Sequence, residues 1–478
     1  MSSPVPTTEP AEPTSTESNE SSDSSWHARL DKAKPGYRDL VQAVEADIRS
    51  GTLRPGQRLP THRQLSTELG ISRGTVARAY EEANRLGLLK IGIGQGTFVA
   101  DAYGVRARQR QEDGLIELGL GFPIYELDPD PAQVLNDLAR DPHRGDLLHY
   151  PAPGGDPAHR AAGAEWCGAL GVECSEEDVL VTVGGQNAAH LWLQAVMKPG
   201  DTLLCGELTY RLVISAAESM GIQPHGVALD EEGLIPEALD EAARETRARG
   251  LYVMPTFQNP TTGVLSMERR RELLAIVAHH NMQVLEDDIH GLFHPKPRPT
   301  PLKAMAPDRV TYTASLSKVL AGGLRVGYAV PPPSRRAAFR SAVLSMLYSP
   351  PPLTAEIATR WIQDGTAAAT LQRKVAEAEW RRTQVHKVLG PYVPEIRSNA
   401  YFAWMSLPDS WRAMRFAMEA RRRQVSVMPA EPFYVGLDQA PEAIRISLGL
   451  VNRAQLNAGL EILEDLLKHP TSAQDFIV

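Results

Sequence analysis

The sequence predicts an α/β protein, a large body around a mainly parallel sheet with a small helix-turn-helix head in front of it. Two observations carry that prediction. From about Ile116 onward, short β-rich runs (Val179 to Val183, Leu251 to Met254, Gln283 to Glu286, Val310 to Thr313) alternate with helical patterns such as Arg269 to His280, as strands joined by crossover helices do. Charge is also divided along the chain: residues 31–100 hold eleven Lys or Arg against seven Asp or Glu, while the whole chain carries −8. A basic head on an acidic body follows. The 478 residues, 42% hydrophobic and 23% charged, give length for roughly three domains. The net charge excludes a wholly basic nucleic-acid coat and leaves room for a local basic domain.

Four segments divide the chain. Residues 1–30 are acidic and rich in Ser, Thr and Pro, with too little to bury, so disorder is expected there. The head spans 31–100, a polar linker rich in Arg and Gln spans 101–114, and the body spans 115–470. The three cysteines, Cys167, Cys174 and Cys205, are an odd count without recurring spacing. This argues against a disulfide framework and against a zinc site, and no metal is expected. No apolar run approaches the ~18 residues that span a bilayer, and the N-terminus lacks a signal peptide's basic and apolar regions. A cytoplasmic protein is expected.

In the head, Pro60 precedes Thr61 and, three residues on, Gln64, a capping-box spacing that starts a helix through Leu65 and Leu69 and stops it at Gly70. Ser72 then caps a second helix, whose Val76, Ala79, Tyr80 and Ala83 fall within an arc of about 100°. Arg73 sits beside the cap in the first turn, and Gly74, Thr75 and Arg78 face away from the apolar side. Basic and hydroxyl side chains on the exposed face of a second helix are what a DNA major groove requires. Leu88 to Ile91 and Gly92 to Val99 read as two strand-like runs around a glycine-rich tip, a wing. Periodicity alone would equally fit a helical hairpin with a solvated charged face. The run Leu53-Arg54-Pro55-Gly56-Gln57-Arg58-Leu59-Pro60-Thr61-His62-Arg63-Gln64-Leu65, then Gly70 to Val76 and Gly94 to Val99, resembles the GntR family of bacterial regulators. That resemblance implies DNA contacts from Arg58, Arg63, Arg73, Thr75 and Gly96. Ser72 and Arg78, at the cap and on the exposed face, join them as candidates.

In the body, Thr313-Ala314-Ser315-Leu316-Ser317-Lys318 leads to Gly322-Gly323-Leu324-Arg325-Val326-Gly327. A lysine after hydroxyls and before a glycine-rich stretch with an arginine suits an aldehyde cofactor bearing phosphate, with the amine forming the imine and Ser315, Ser317 and Arg325 holding the dianion. By itself the string also fits a surface lysine. Four elements add weight. Val179 to Val183 runs into Gly184-Gly185-Gln186 and a helix from Ala188, offering backbone amides to phosphate. Tyr210, after the strand Thr202 to Cys205, offers an aromatic face to a pyridine ring. Asn259, in Gln258-Asn259-Pro260-Thr261-Thr262-Gly263, places an amide at a strand's carboxyl end, where α/β sheets bind ligands. Asp287, in Val284 to His290, offers a carboxylate that would keep a pyridine nitrogen protonated.

The order of these strings resembles fold type I aminotransferases over roughly residues 115–470, and the head joined to such a body resembles the MocR family of regulators. The resemblance implies a large mixed, mainly parallel sheet with helices on both faces, a smaller C-terminal α+β subdomain, and pyridoxal 5′-phosphate as cofactor. It implies Lys318 as the Schiff-base lysine, Asp287 on the pyridine nitrogen, Asn259 on the phenolate oxygen and Tyr210 stacked on the ring. Gly184, Gly185, Gln186, Ser315, Ser317 and Arg325 would surround the phosphate, and Arg445, in Ile444 to Gly449, would grip a carboxylate. The chain departs from the family pattern at His290, where a tyrosine is usual and His290 is the nearby polar substitute, and at Val183, Leu208 and Ala430.

The leading functional expectation is a transcriptional regulator that holds the cofactor on Lys318 and senses an amino compound, or the cofactor itself. A transaminase with an accessory DNA-binding domain is the alternative. A third reading, a regulator whose body binds an unrelated acid, would make Lys318, Asp287 and Asn259 coincidental. Expected partners are double-stranded operator DNA, a small amino-compound effector and a second copy of the chain in a head-to-tail homodimer.

Overall fold

The computed structural model describes residues 35–49, 52–53, 57–85, 88–92, 96–99, 114–393, 400–436 and 438–469. The expected tail at 1–30, the linker at 101–114 apart from Gly114, the Arg54-Pro55-Gly56 part of the family-like run and the expected wing tip at Gly94-Gln95 lie outside the described residues. Two compact units, Met1–Gln111 and Glu112–Val478, divide the chain.

The first unit contains helices α1 (Tyr37–Arg49), α2 (His62–Leu69) and α3 (Arg73–Arg85), then an antiparallel hairpin of β1 (Leu89–Gly92) and β2 (Gly96–Val99). Helix α2 begins at the Thr61/Gln64 capping box and ends at Gly70, whose φ of 63° is a left-handed cap, a conformation glycine adopts without a Cβ penalty. Thr75 N donates to the Ser72 hydroxyl (3.1 Å) at the start of α3. Leu40, Val44, Leu65, Val76, Tyr80, Ala83, Leu89 and Val99 form one core, and the Tyr80 hydroxyl donates to Pro60 O (3.0 Å). The alternating burial of Gly96–Val99 is that of a strand with one face on this core.

The second unit is built on seven strands: β3 (Leu180–Thr182), β4 (Thr202–Gly206), β5 (Gln223–Val227), β6 (Gly250–Val253), β7 (Gln283–Asp287), β8 (Val310–Ser315) and β9 (Gly327–Val330). Their order across the sheet is β3-β9-β8-β7-β6-β4-β5. Strand β9 runs antiparallel to both neighbours, β3 and β8; the pairs β4–β5, β4–β6, β6–β7 and β7–β8 are parallel. Alternate residues serve opposite layers, as the pleat requires. Tyr252 and Leu285 pack with Trp192, Phe339 and Val343, whereas Leu251, Val253 and Val284 pack with Leu239, Leu273 and Val277. Both faces are therefore covered.

The helix after β3, α4, spans Gly184–Val196, so it starts four residues before the expected Ala188. The glycines belong to its first turn rather than to a preceding loop. The expected helix at Arg269 to His280 is α5, Met267–His279, capped by Ser266. A smaller antiparallel sheet holds β10 (Phe402–Ser406), β11 (Met428–Pro429) and β12 (Ala443–Ser447) in the order β10-β12-β11. Its core joins Met405 and Ile446 to Val385, Phe416 and Leu460 from helices. Ile116–Glu117 pairs in parallel with Val425–Ser426, which ties the segment after the linker to this subdomain. No helix of the described residues is long and apolar enough to cross a membrane.

Candidate functional site

In the head, the predicted contact residues lie at the start of α3 and around α2 and the wing. Ser72, Arg73 and Gly74 are exposed, and so are Arg63 on α2 and Arg58. Arg58 bridges to Phe98, and a Cβ on Gly96 (φ +111°) would come within 3.0 Å of the Arg58 Nε. The wing glycine and this arginine are therefore neighbours. Thr75 is half-buried, its hydroxyl 2.9 Å from that of Ser72. Arg78 is exposed as well. Its guanidinium lies 4.3 Å from the centroid of Tyr37, a cation–π contact that orients it on α1.

In the body, the predicted residues meet at the carboxyl ends of β6, β7 and β8. Among the described residues no side chain caps helix α4, and Val183 precedes it, so the first-turn amides of Gly184, Gly185 and Gln186 keep the donor capacity of a helix N-terminus. A Cβ on Gly185 would lie 3.5 Å from that of Ser315, which places β8's end beside this turn. The Ser315 hydroxyl donates to that of Ser317 (3.1 Å). Arg325 reaches the Ser317 hydroxyl and Val183 O, each at 3.4 Å. Gly184 has φ +77°, and a Cβ there would meet Arg325 Nη2 at 2.9 Å. Three hydroxyl or guanidinium groups and a helix N-terminus thus lie side by side.

Lys318 follows on the same loop and donates to Gly121 O. Burial, and then the neighbouring cations Arg445, Arg325 and Lys374, bring its amine down to about 8, against a smaller pull from Asp287. Asp287 ends β7. Burial pushes its carboxyl up to about 6, although the Tyr252 hydroxyl and Ile289 N donate to it. Its neighbours are differently employed. Glu286 accepts from the amides of Leu302 and Lys303 beside Arg270, and Asp288 accepts from Tyr312 OH (2.6 Å) and Arg298. Of the three successive acids that ended the strand in sequence, two therefore hold the fold and Asp287 faces the lysine.

Arg445, on β12, donates to Asn259 Oδ1 (3.0 Å) and Gly119 O (2.8 Å) and lies 4.7 Å from the centroid of Phe433. Because a guanidinium only donates, Asn259 must turn its oxygen to it. The Asn259 NH2 is then directed elsewhere. His290 is buried, its ring edge-on to Phe402 (5.2 Å). Burial, then Lys318 and Arg445, lower its pKa well below the ordinary value, and its Nδ1 has no hydrogen-bond partner among the described residues. Tyr210 is half-buried at the start of the 211–219 helix. Burial first, then Asp287, raises its hydroxyl to about 12, so it stays neutral.

Sequence reasoning missed two contributors. Tyr252, seven residues before Asn259, donates to Asp287 at 2.9 Å; its sequence signal is a polar-tipped aromatic inside an otherwise apolar strand. The Gly119–Gly121 segment supplies carbonyls to Arg445 and Lys318, and nothing in its sequence marks it.

Fold and site define a class: a winged-helix DNA-binding head joined to a fold type I aminotransferase body. The family described as "Aminotransferase class I and II" matches residues 114–463, and that described as "Bacterial regulatory proteins, gntR family" matches residues 36–99. An uncharacterized HTH-type transcriptional regulator of Bacillus subtilis, YdeF, is 30% identical over 93% of this chain and 97% of its own. The probable rhizopine catabolism regulatory protein MocR of Rhizobium meliloti is 29% identical over 71% and 74%. The solved structure of LysN, an alpha-aminoadipate aminotransferase from Thermus thermophilus complexed with N-(5'-phosphopyridoxyl)-L-leucine, superposes with a TM-score of 0.68 at 28% identity, covering 74% of this chain and 92% of that one. The chain belongs to the MocR family, with a GntR-type DNA-binding domain and a class I and II aminotransferase domain, the fold of pyridoxal phosphate-dependent proteins.

Proposed function

We propose that this regulator binds operator DNA through its head and holds pyridoxal 5′-phosphate on Lys318, where it senses an amino compound or the cofactor itself. The observation that carries the proposal is the convergence of a half-buried lysine, a separate buried acid and an uncapped helix N-terminus at the carboxyl end of the sheet. These residues suit the cofactor. The first turn of α4 with Ser315, Ser317 and Arg325 would hold the phosphate dianion, and only a residue without a Cβ leaves the space beside Arg325 open. The unpartnered His290 Nδ1 is a buried polar atom of the kind a ligand satisfies. When bound, pyridoxal phosphate supplies an aldehyde that reacts with primary amines and a ring that withdraws electrons.

Asp287 would hold the ring nitrogen, Tyr210 would stack on the ring, and Asn259, with His290 in the place of the usual tyrosine, would hold the phenolate oxygen. Lys318, lowered to about 8, keeps a fraction of neutral amine near neutral pH. Arg445 presents a planar fork suited to a carboxylate, which would displace the carbonyl oxygens now bound to it. The effector is therefore expected to carry a primary amine at one end and an acidic group at the other. A ligand with different affinity for two packings of the body would shift DNA binding, and operator DNA would change ligand affinity reciprocally. The segments 31–100, 101–114 and 115–470, a cytoplasmic location and a head-to-tail homodimer belong to the same proposal.

The alternative, a transaminase, draws on the 28% identity to the 2-aminoadipate transaminase of Thermus thermophilus. One experiment separates the readings: titrate the cofactor's absorbance with a panel of amino acids, amines and sulfonates, with and without operator DNA. A saturable spectral change linked to operator affinity, weakened in Arg445→Lys, supports the sensor. Rapid multiple turnover with an amino donor and a 2-oxo acid supports the transaminase. An unchanged spectrum, with free cofactor alone altering the operator footprint, replaces the amino-compound sensor by a cofactor sensor.

A further inference from the structure

The two adjacent acids Asp287 and Asp288 each receive a tyrosine hydroxyl, and from opposite neighbours in the sheet. Tyr252, on β6, donates to Asp287 (2.9 Å), and Tyr312, on β8, donates to Asp288 (2.6 Å). The pairs differ in what else they contain. Asp288 is neutralised by Arg298, so its tyrosine completes an ion pair that holds the 288–298 segment. Among the described residues Asp287 has no arginine partner; besides Tyr252 it accepts from the Ile289 amide, at 3.3 Å. Tyr252 is buried, and burial followed by the Asp287 charge drives its own hydroxyl well above the ordinary value. It therefore remains a donor throughout the neutral range and cannot hand its proton to Asp287.

We infer that Tyr252 is a positioning residue for Asp287, fixing the carboxylate in its ionised, accepting form towards a cationic ring nitrogen. The inference rests on the reading that this site takes pyridoxal phosphate. A hydrogen bond to the charged form favours that form, and here it opposes the burial that otherwise favours the neutral acid. The other titratable groups facing Asp287 are Asp288, which disfavours its ionisation, Lys318, which favours it, and Tyr210, which is neutral. Tyr252 is thus the one side chain donating a hydrogen bond to Asp287 among the described residues, and Phe at this position keeps the packing and removes only that donor.

The test uses the full-length Tyr252→Phe protein loaded with pyridoxal phosphate. Its cofactor dissociation constant should rise about tenfold, equivalent to ~1.4 kcal/mol, and the pH midpoint of the bound cofactor's absorbance should move from that of the wild type. With the cofactor analogue whose ring nitrogen is replaced by carbon, the difference between the two proteins should vanish. In an Asp287→Asn background, Tyr252→Phe should add nothing further. Tyr312→Phe should leave the absorbance midpoint where it is. The inference is overturned if midpoint and affinity match the wild type, or if the loss is the same with both cofactors, which is what a merely structural role gives. A wild-type protein that binds no cofactor at Lys318 instead overturns the underlying reading, and that result is visible before any variant is made.

Discussion

The head and the body use charged side chains in opposite ways. The head leaves Arg58, Arg63 and Arg73 exposed at the surface, where an arginine costs the fold little and is available to phosphates. The body buries Arg270, Glu286, Asp287, Asp288, Lys374 and Arg445, where each must find a partner or shift its pKa. Charge in the head can thus be removed without loss of structure, whereas charge in the body is tied to folding and to the ligand. The difference predicts that the same kind of substitution will be read in different assays on the two sides of the linker.

The largest effect should come from the head's core. Leu65 is fully buried there, and Leu65→Ala should cost ~2–5 kcal/mol, a large share of a small domain's stability. Operator binding should be lost while cofactor absorbance persists, measured on the same sample by gel shift and spectrophotometry. Loss of both would show that the two halves do not behave as separate units. Next, Gly184→Ala forces a left-handed backbone and a contact with Arg325, costing ~1–3 kcal/mol. Cofactor affinity should fall roughly ten- to a hundredfold by equilibrium dialysis, with DNA affinity of the cofactor-free protein unchanged.

These contrasts follow how the residues were legible. The head's proposed contact residues lie in short local runs, with caps at Thr61 and Ser72 and a stop at Gly70, so local chemistry was enough to read its elements. In the body, the strands and the lysine loop were legible because β-rich runs and turn residues are local signals. The sorting of Glu286, Asp287 and Asp288 was not, because it depends on Arg270, Arg298 and Tyr312 arriving from other elements. The Gly119 and Gly121 carbonyls had no side-chain signal at all. The early start of α4 escaped for a related reason: glycine's low helix propensity hides a first turn at Gly184-Gly185.

A smaller effect is expected from surface charge. Arg73→Ala should weaken operator binding about tenfold and reduce the salt slope by roughly 0.9, with no change in the melting of either unit. A slope equal to that of the wild type would remove Arg73 from the phosphate contacts. The smallest effect concerns pH and the body alone. Asp287 and Glu286 rise to about 6 and about 7 in the folded chain, from ordinary values of 3.8 and 4.5, chiefly through burial. Their neutral forms therefore favour folding. That stability is present in full below the ordinary carboxylate range and is lost as pH rises through about 6 and about 7. Denaturant unfolding of the cofactor-free protein should show the decline, and pyridoxal phosphate should suppress the part due to Asp287 by giving its anion a cationic partner.

Borohydride reduction of the wild-type protein loaded with pyridoxal phosphate, followed by peptide mapping, should place a single pyridoxyl label on Lys318, and Lys318→Ala should carry none. A label on another lysine, or none with cofactor in excess, would contradict the assignment of this site.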